Sequence, residues 1–197
     1  MRLVLATRNP GKVAELAARL PDAIELVSAA EIPGAPDVEE DAPTLIGNAE
    51  KKARALYAHT GLPSLADDTG LEVDALDGAP GVRSARFASE TATDAENRAY
   101  LSRQLEGVTQ RSARFRTVLA YVDAEGLRTF DGVCEGDITT QEVGNEGFGY
   151  DSLFRPADGD GRTFAEMSKA EKNDISHRGR ALGAFTQWLI ESPNAKH

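Results

Sequence analysis

The sequence predicts an α/β protein built on a mixed sheet, and two observations carry that expectation. Short apolar strands alternate with helical periodicity through the first third of the chain, and two long strands joined by a tight turn follow in the middle. The 197 residues are 41% hydrophobic and 27% charged, an ordinary balance for a chain that buries a core as one domain or two closely packed lobes.

The elements follow in order. Residues 2–6 are a short buried strand, and Val13, Leu16 and Leu20 give residues 12–20 helical spacing. A polar turn, Thr7-Arg8-Asn9-Pro10-Gly11-Lys12, lies between them. Residues 24–28 read as a second strand. Residues 32–43, with three prolines and four acids, read as irregular. Leu45, Ala49, Ala53 and Leu56 mark a helix over 44–59. A strand over 63–66 runs straight into Asp67-Asp68-Thr69-Gly70, and the chain extends again over 71–73. Residues 77–83 form a loop, and 94–105 a helix capped by Thr93 or Asp94. Strands over 114–122 and 127–138 enclose the turn Asp123-Ala124-Glu125-Gly126. Ser168-Lys169-Ala170-Glu171 has the form of a capping box, and 176–190 closes the chain as an amphipathic helix.

Charge narrows the partners. With 22 basic and 32 acidic residues the net charge is −10, which disfavours a nucleic-acid polymer but not a small phosphorylated ligand with its cation. No apolar run approaches the roughly 20 residues that cross a bilayer. Only four apolar residues, Leu3 to Ala6, precede polar Thr7, too few for a signal-peptide core. The single Cys134 has no disulfide partner. A cytoplasmic setting fits all of this.

Five segments carry candidate chemistry. The turn before residue 12 places a helix N-terminus, Thr7, Asn9 and Lys12 where a phosphate binds, although Asn-Pro-Gly is also a common plain turn and the P-loop pattern is absent. Asp67 and Asp68 end an apolar strand, where α/β sheets hold ligands; adjacent residues face opposite ways and so serve different roles. An Asx-turn explains the same residues equally well. Glu39-Glu40-Asp41 matter only if their loop folds over Asp68, because magnesium takes one or two carboxylates plus waters and phosphate oxygens. Gly147-Phe148-Gly149-Tyr150-Asp151 either offers Phe148 to a flat base or is simply a glycine-rich loop. His177 and Arg178 open the last helix with cations, where acids are the usual choice; a bound anion or base carbonyl, or Glu171 or Asp174 across one turn, would relieve that.

Taken together, in order, these segments resemble the inosine triphosphate pyrophosphatase family, the non-canonical purine NTP pyrophosphatases. Asn48-Ala49 with Lys52-Ala53, Gly78-Ala79-Pro80-Gly81, Ser84-Ala85-Arg86 and Glu171-Lys172 extend the match over nearly the whole chain. The resemblance implies an elongated α/β fold with a long mixed β-sheet flanked by helices, two lobes and a deep central cleft, one domain over 1–197, and a homodimer. It implies hydrolysis of ITP, dITP or XTP to the monophosphate and pyrophosphate with Mg²⁺. Asp68 corresponds to the proton acceptor and lies at the metal, with Glu39 as its partner ligand and Glu40 the alternative register. Thr7, Arg8, Asn9, Pro10, Gly11, Lys12 and Lys52 would line the triphosphate pocket, and Thr69 would touch substrate. Phe148, Gly149, Tyr150, Asp151, Lys172, His177 and Arg178 would hold the nucleoside. Thr69 stands where many members carry Ser, and Ser152 where many carry Pro; neither removes a charged group. Two rivals remain at this level: a nucleotide-binding regulatory module, and a hydrolase of modified pyrimidine triphosphates.

Overall fold

The computed structural model describes every residue except Asn9, Asp22 and residues 193–197. Seven strands run β1 (Arg2–Leu5), β2 (Glu25–Ser28), β3 (Ser64–Val73), β4 (Pro80–Gly81), β5 (Ser112–Asp123), β6 (Gly126–Ile138) and β7 (Phe154–Pro156). The helices are α1 (Pro10–Ala17), α2 (Leu45–Thr60), α3 (Asp94–Gln104), α4 (Lys169–Ile175) and α5 (His177–Glu191). The strands pair in the order β2-β1-β3-β5-β6-β7, with β4 on β3. β1 is parallel to both β2 and β3, whereas β3/β4 and β6/β7 are antiparallel, so the sheet is mixed as expected.

The contacts divide the chain into two units. The first holds Met1–Asp68, Val118–Asp131 and the last helix from Ala181; the second holds Thr69–Thr117 and Gly132–Arg180. Each has its own core. In the first, Leu3, Leu5, Leu65 and Leu119 pack with Leu16 of α1 and Leu182 and Phe185 of α5. In the second, Leu71, Leu101, Phe115, Phe154 and Phe164 form the centre, with Phe115 and Phe154 edge-on at 4.7 Å.

Local signals explain the boundaries that matter for the site. Thr44 caps α2 by accepting the Gly47 N–H at 3.1 Å, and Gly61 ends it in the left-handed conformation at φ 66°. Leu45, Ala49, Ala53 and Leu56 are buried, and so is Asn48, a polar residue on the same face. Ser168 and Glu171 make the capping box that starts α4.

One expectation is corrected. The strands expected over 63–66 and 71–73 are one: β3 runs unbroken for ten residues through Asp67-Asp68-Thr69-Gly70, and the Asx-turn alternative falls. Nearly every position along it is buried, as in a central strand covered on both faces, and the two carboxylates are 2% and 7% exposed. Each finds a partner outside the strand, so neither needs to fold back on its own backbone.

Candidate active site

The carboxyl end of β1 lies beside β3, with the Ala6 N–H donating to the Leu65 carbonyl at 2.8 Å. The chain then passes through Thr7 into α1, while β3 continues from Leu65 to Asp67 and Asp68. Thus the first turn of α1 and the paired acids meet just past the carboxyl end of β1, alongside the middle of β3, the kind of edge where open α/β sheets bind ligands.

There the two acids take different partners. The Lys12 Nζ lies 2.7 Å from Asp67 Oδ2. Asp68 accepts the Asn48 amide at 3.3 Å through Oδ2 and faces the Lys52 Nζ at 3.5 Å through Oδ1. Lys52 also donates to the Asp67 carbonyl at 2.7 Å and to Glu40 Oε1 at 2.6 Å. Asn48, fully buried, accepts the Ala42 N–H at 2.9 Å, which ties the acidic loop to α2 and to Asp68 in one bridge. Glu40 is therefore the loop acid joined to Asp68 through a shared lysine. The Glu39 side chain is exposed, and its carbonyl receives the Lys51 Nζ at 3.0 Å.

Three acids and two lysines share this cluster, leaving it one negative charge in excess. Burial is the largest influence on Asp68 and pushes its carboxyl up; Lys52 and the Asn48 hydrogen bond oppose this, while Glu40 and Asp67 add to the rise. The net effect holds Asp68 above the ordinary carboxylate range. Burial pulls the Lys52 ammonium down, but attraction to Asp68, Asp67 and Glu40 outweighs it and holds Lys52 above the usual lysine value. The two rises differ in cause: burial leads for Asp68, which faces one lysine and two like charges, whereas Lys52 rises against burial because it faces three acids.

Among the described residues no three His, Cys, Asp or Glu side chains form a ready cage for a metal. The donor set still suits magnesium, which needs few protein carboxylates, and the excess negative charge of the cluster favours a divalent cation. A cavity of about 230 Å³ adjoins it, lined by Thr7, Arg8, Asp37, Glu40, Lys52 and Leu56 among others. Arg8 is exposed and reaches Asp37 at 3.2 Å. Thr7 uses its carbonyl to accept the Ser28 hydroxyl at 2.8 Å. Pro10 and Gly11 form the first turn of α1, and Asn9 lies outside the described residues.

The second unit gathers the remaining expected residues. The Lys172 Nζ lies 2.6 Å from Asp151 Oδ2, which also accepts the Phe148 N–H at 2.9 Å. Gly147 is required here: its φ is +78°, and a Cβ would fall 2.0 Å from Asp151 Oδ2. Phe148 is 49% exposed, with the Lys172 Nζ 5.1 Å and the Arg178 Cζ 5.8 Å from its ring centroid. Tyr150 is buried and donates its hydroxyl to the Ser84 carbonyl at 2.8 Å. His177 stacks on Phe115 at 4.6 Å and, like Arg178, is buried. Thr69 shares a 2.7 Å hydrogen bond with the buried Thr117 hydroxyl. Glu171, offered earlier as a partner for Arg178, is instead 2.7 Å from Arg162.

Sequence reasoning gave Asn48 no role beyond the family match, and missed Thr117 and the α3 residues that hold the Gly149 backbone. Asn48 alone had a local signal, an amide at a core position three residues after Leu45 on an otherwise apolar face.

These features define a mixed α/β protein with an acid–lysine cluster beside two parallel strands, suited to a cation and phosphate, and a cation-flanked aromatic in its second unit. The chain belongs to the Ham1 family, whose profile matches residues 3–188. A dITP/XTP pyrophosphatase of Desulforamulus reducens is 53% identical over 92% of each chain. Another from Geobacter sulfurreducens is 49% identical, covering 95% of this chain and 96% of its own. Among solved structures, a HAM1 protein from Coxiella burnetii superposes with a TM-score of 0.92 at 41% identity, over 98% of this chain and all of that one. A nucleoside-triphosphatase / dITP/XTP pyrophosphatase from Mycobacterium abscessus gives 0.79 at 43% identity, over 94% and 98%.

Proposed function

We propose that this chain is a hydrolase that cleaves ITP, dITP and XTP between the α- and β-phosphates, releasing the monophosphate and pyrophosphate. The observation that carries the reading is the acid–lysine cluster of Glu40, Asp67 and Asp68 with Lys12 and Lys52. The names of the curated relatives, dITP/XTP pyrophosphatases, support this kind of reaction on dITP and XTP.

Asp68 and Glu40 would hold Mg²⁺, with Glu39 beside them on the loop. Bound there, the ion supplies positive charge to phosphate oxygens and makes a coordinated water more acidic. Asp68 accepts a proton from the water that attacks the α-phosphorus, a role that suits a carboxyl raised above its ordinary range. Lys12 and Lys52 exchange their present acidic partners for the phosphate tail, aided by Thr7, Arg8, Asn9 and the first turn of α1 at Pro10 and Gly11. Thr69 touches the substrate through its hydroxyl. The α–β anhydride bond breaks, and pyrophosphate leaves.

Base choice falls to the second unit. Phe148 offers a stacking face, and Gly149, Tyr150, Asp151 and Lys172 hold that loop in place. His177, Arg178 or backbone N–H groups donate to the oxygen at position 6 of hypoxanthine or xanthine. Adenine presents an amino donor at that position, and a buried donor facing a donor costs about 1–3 kcal/mol. Residues 1–197 serve as one functional domain of a cytoplasmic homodimer. Among the described residues no helix is long and apolar enough to cross a membrane.

The test is a panel of ITP, dITP, XTP, GTP and ATP with Mg²⁺, scored for pyrophosphate against orthophosphate. The expected result is pyrophosphate from the first three and slow turnover of ATP. Orthophosphate as the product, or equal rates for ATP and ITP, would overturn the reading.

A further inference from the structure

Phe148 has little side-chain packing to hold it, being 49% exposed between two glycines of positive φ, Gly147 at 78° and Gly149 at 60°. Its position is therefore inherited from the backbone on either side. That backbone is gripped by α3. Asp94 and Arg98 stand four residues apart on one face of the helix. Asp94 Oδ2 accepts the Gly149 N–H at 2.8 Å, and Arg98 Nη1 donates to the Gly149 carbonyl at 2.9 Å. One residue is thus held by both of its polar backbone groups, each through a charged side chain, the stronger kind of hydrogen bond.

Arg98 also fastens the strand of chain leading into the loop and the chain leaving it. Its Nε lies 2.7 Å from Glu142 Oε2, and the same oxygen accepts the Ser152 hydroxyl at 2.8 Å. The guanidinium, only 21% exposed, spans the mouth of residues 142–152 like a cross-tie. A polar cavity of about 220 Å³ lies at this place, lined by Arg98, Glu142, Asn145, Phe148 and Asp151 among others. The loop has space behind it and needs an anchor.

We infer that Arg98 and Asp94 are positioning residues for base recognition: they fix the Gly149 backbone and so set where Phe148 meets the base. Neither is among the partners of the acid–lysine cluster, and both lie in the second unit with the loop. The inference rests on the reading that Phe148 contacts the base. Loosening the loop raises the entropy lost on binding, which weakens affinity for the nucleoside end while leaving the chemistry at the phosphate end alone.

The experiment compares the full-length protein with Arg98→Gln and Asp94→Ala by calorimetry with IMP, steady-state kinetics with ITP and thermal melting. IMP keeps the base and lacks the pyrophosphate. The expected result is IMP binding weakened by about tenfold, KM for ITP raised by a like factor and kcat within about twofold, the signature of a lost binding interaction. Melting temperature should shift little in at least one variant, and that variant carries the test. Unchanged IMP affinity and KM in a folded variant would overturn the inference and leave the function standing, as would kcat falling with KM constant. A parent protein that neither binds IMP nor cleaves ITP would overturn the functional reading and, with it, this one.

Discussion

Asp68 sits 7% exposed beside one lysine and two further carboxylates, an environment that disfavours its ionised form. The burial that makes it a useful proton acceptor also works against the fold. Its folded value is raised above the unfolded one, so the protein loses stability as pH climbs from the unfolded value through the folded value. Asp68→Asn removes that cost. Melted in EDTA at neutral pH, the variant should unfold at or above the temperature of its parent, and the difference should shrink as pH falls through the folded value toward the unfolded one. Turnover of ITP should meanwhile fall by on the order of 10²-fold or more. A variant that melts lower at neutral pH while keeping its rate would contradict both statements.

At the scale of elements, the junction between α4 and α5 shows how packing chooses a residue. A Cβ on Gly179 would fall 1.9 Å from the Asn173 carbonyl oxygen, a backbone atom that cannot swing aside. The Gly179 N–H also donates to Ser176 Oγ at 3.1 Å, holding the start of α5 against the end of α4. Gly179→Ala should therefore cost about 1–3 kcal/mol in urea unfolding, as overpacking does. An unchanged midpoint would show that the junction opens freely. Much at this scale was legible in the sequence. Thr93, offered with Asp94, and the Ser168–Glu171 box announced helix starts, and the apolar side of α2 was readable from its spacing. The Asp67–Gly70 stretch left a turn and a ligand-bearing strand end equally open, because its composition is that of a turn. What keeps it extended is the pairing of Asp67 with Lys12, 55 residues away, and of Asp68 with Asn48 and Lys52. No local pattern encodes such partners. The hold of Asp94 and Arg98 on Gly149 was invisible for the same reason, since it joins residues about 50 apart.

At the scale of the molecule, composition and element order led to a mixed α/β sheet, and the Ham1 profile and superposed structures agree with it. The site emerged less evenly. Lys12, Asp67 and Asp68 were legible from the sequence as charged residues at expected strand and helix ends, Lys52 only through the family resemblance, and the structure brings the four together. Which loop acid joins them was not legible, because Glu39 and Glu40 are adjacent and one residue of register decides which side chain turns inward. The structure ties Glu40 to Lys52 at 2.6 Å.

The claim beneath all of this is that water attacks the α-phosphorus in a reaction assisted by Asp68. Hydrolysis of ITP in ¹⁸O-enriched water, with both products read by mass spectrometry, tests it most directly. Label should appear in the monophosphate and not in the pyrophosphate. Label in the pyrophosphate would place the attack on the β-phosphorus and contradict the assignment.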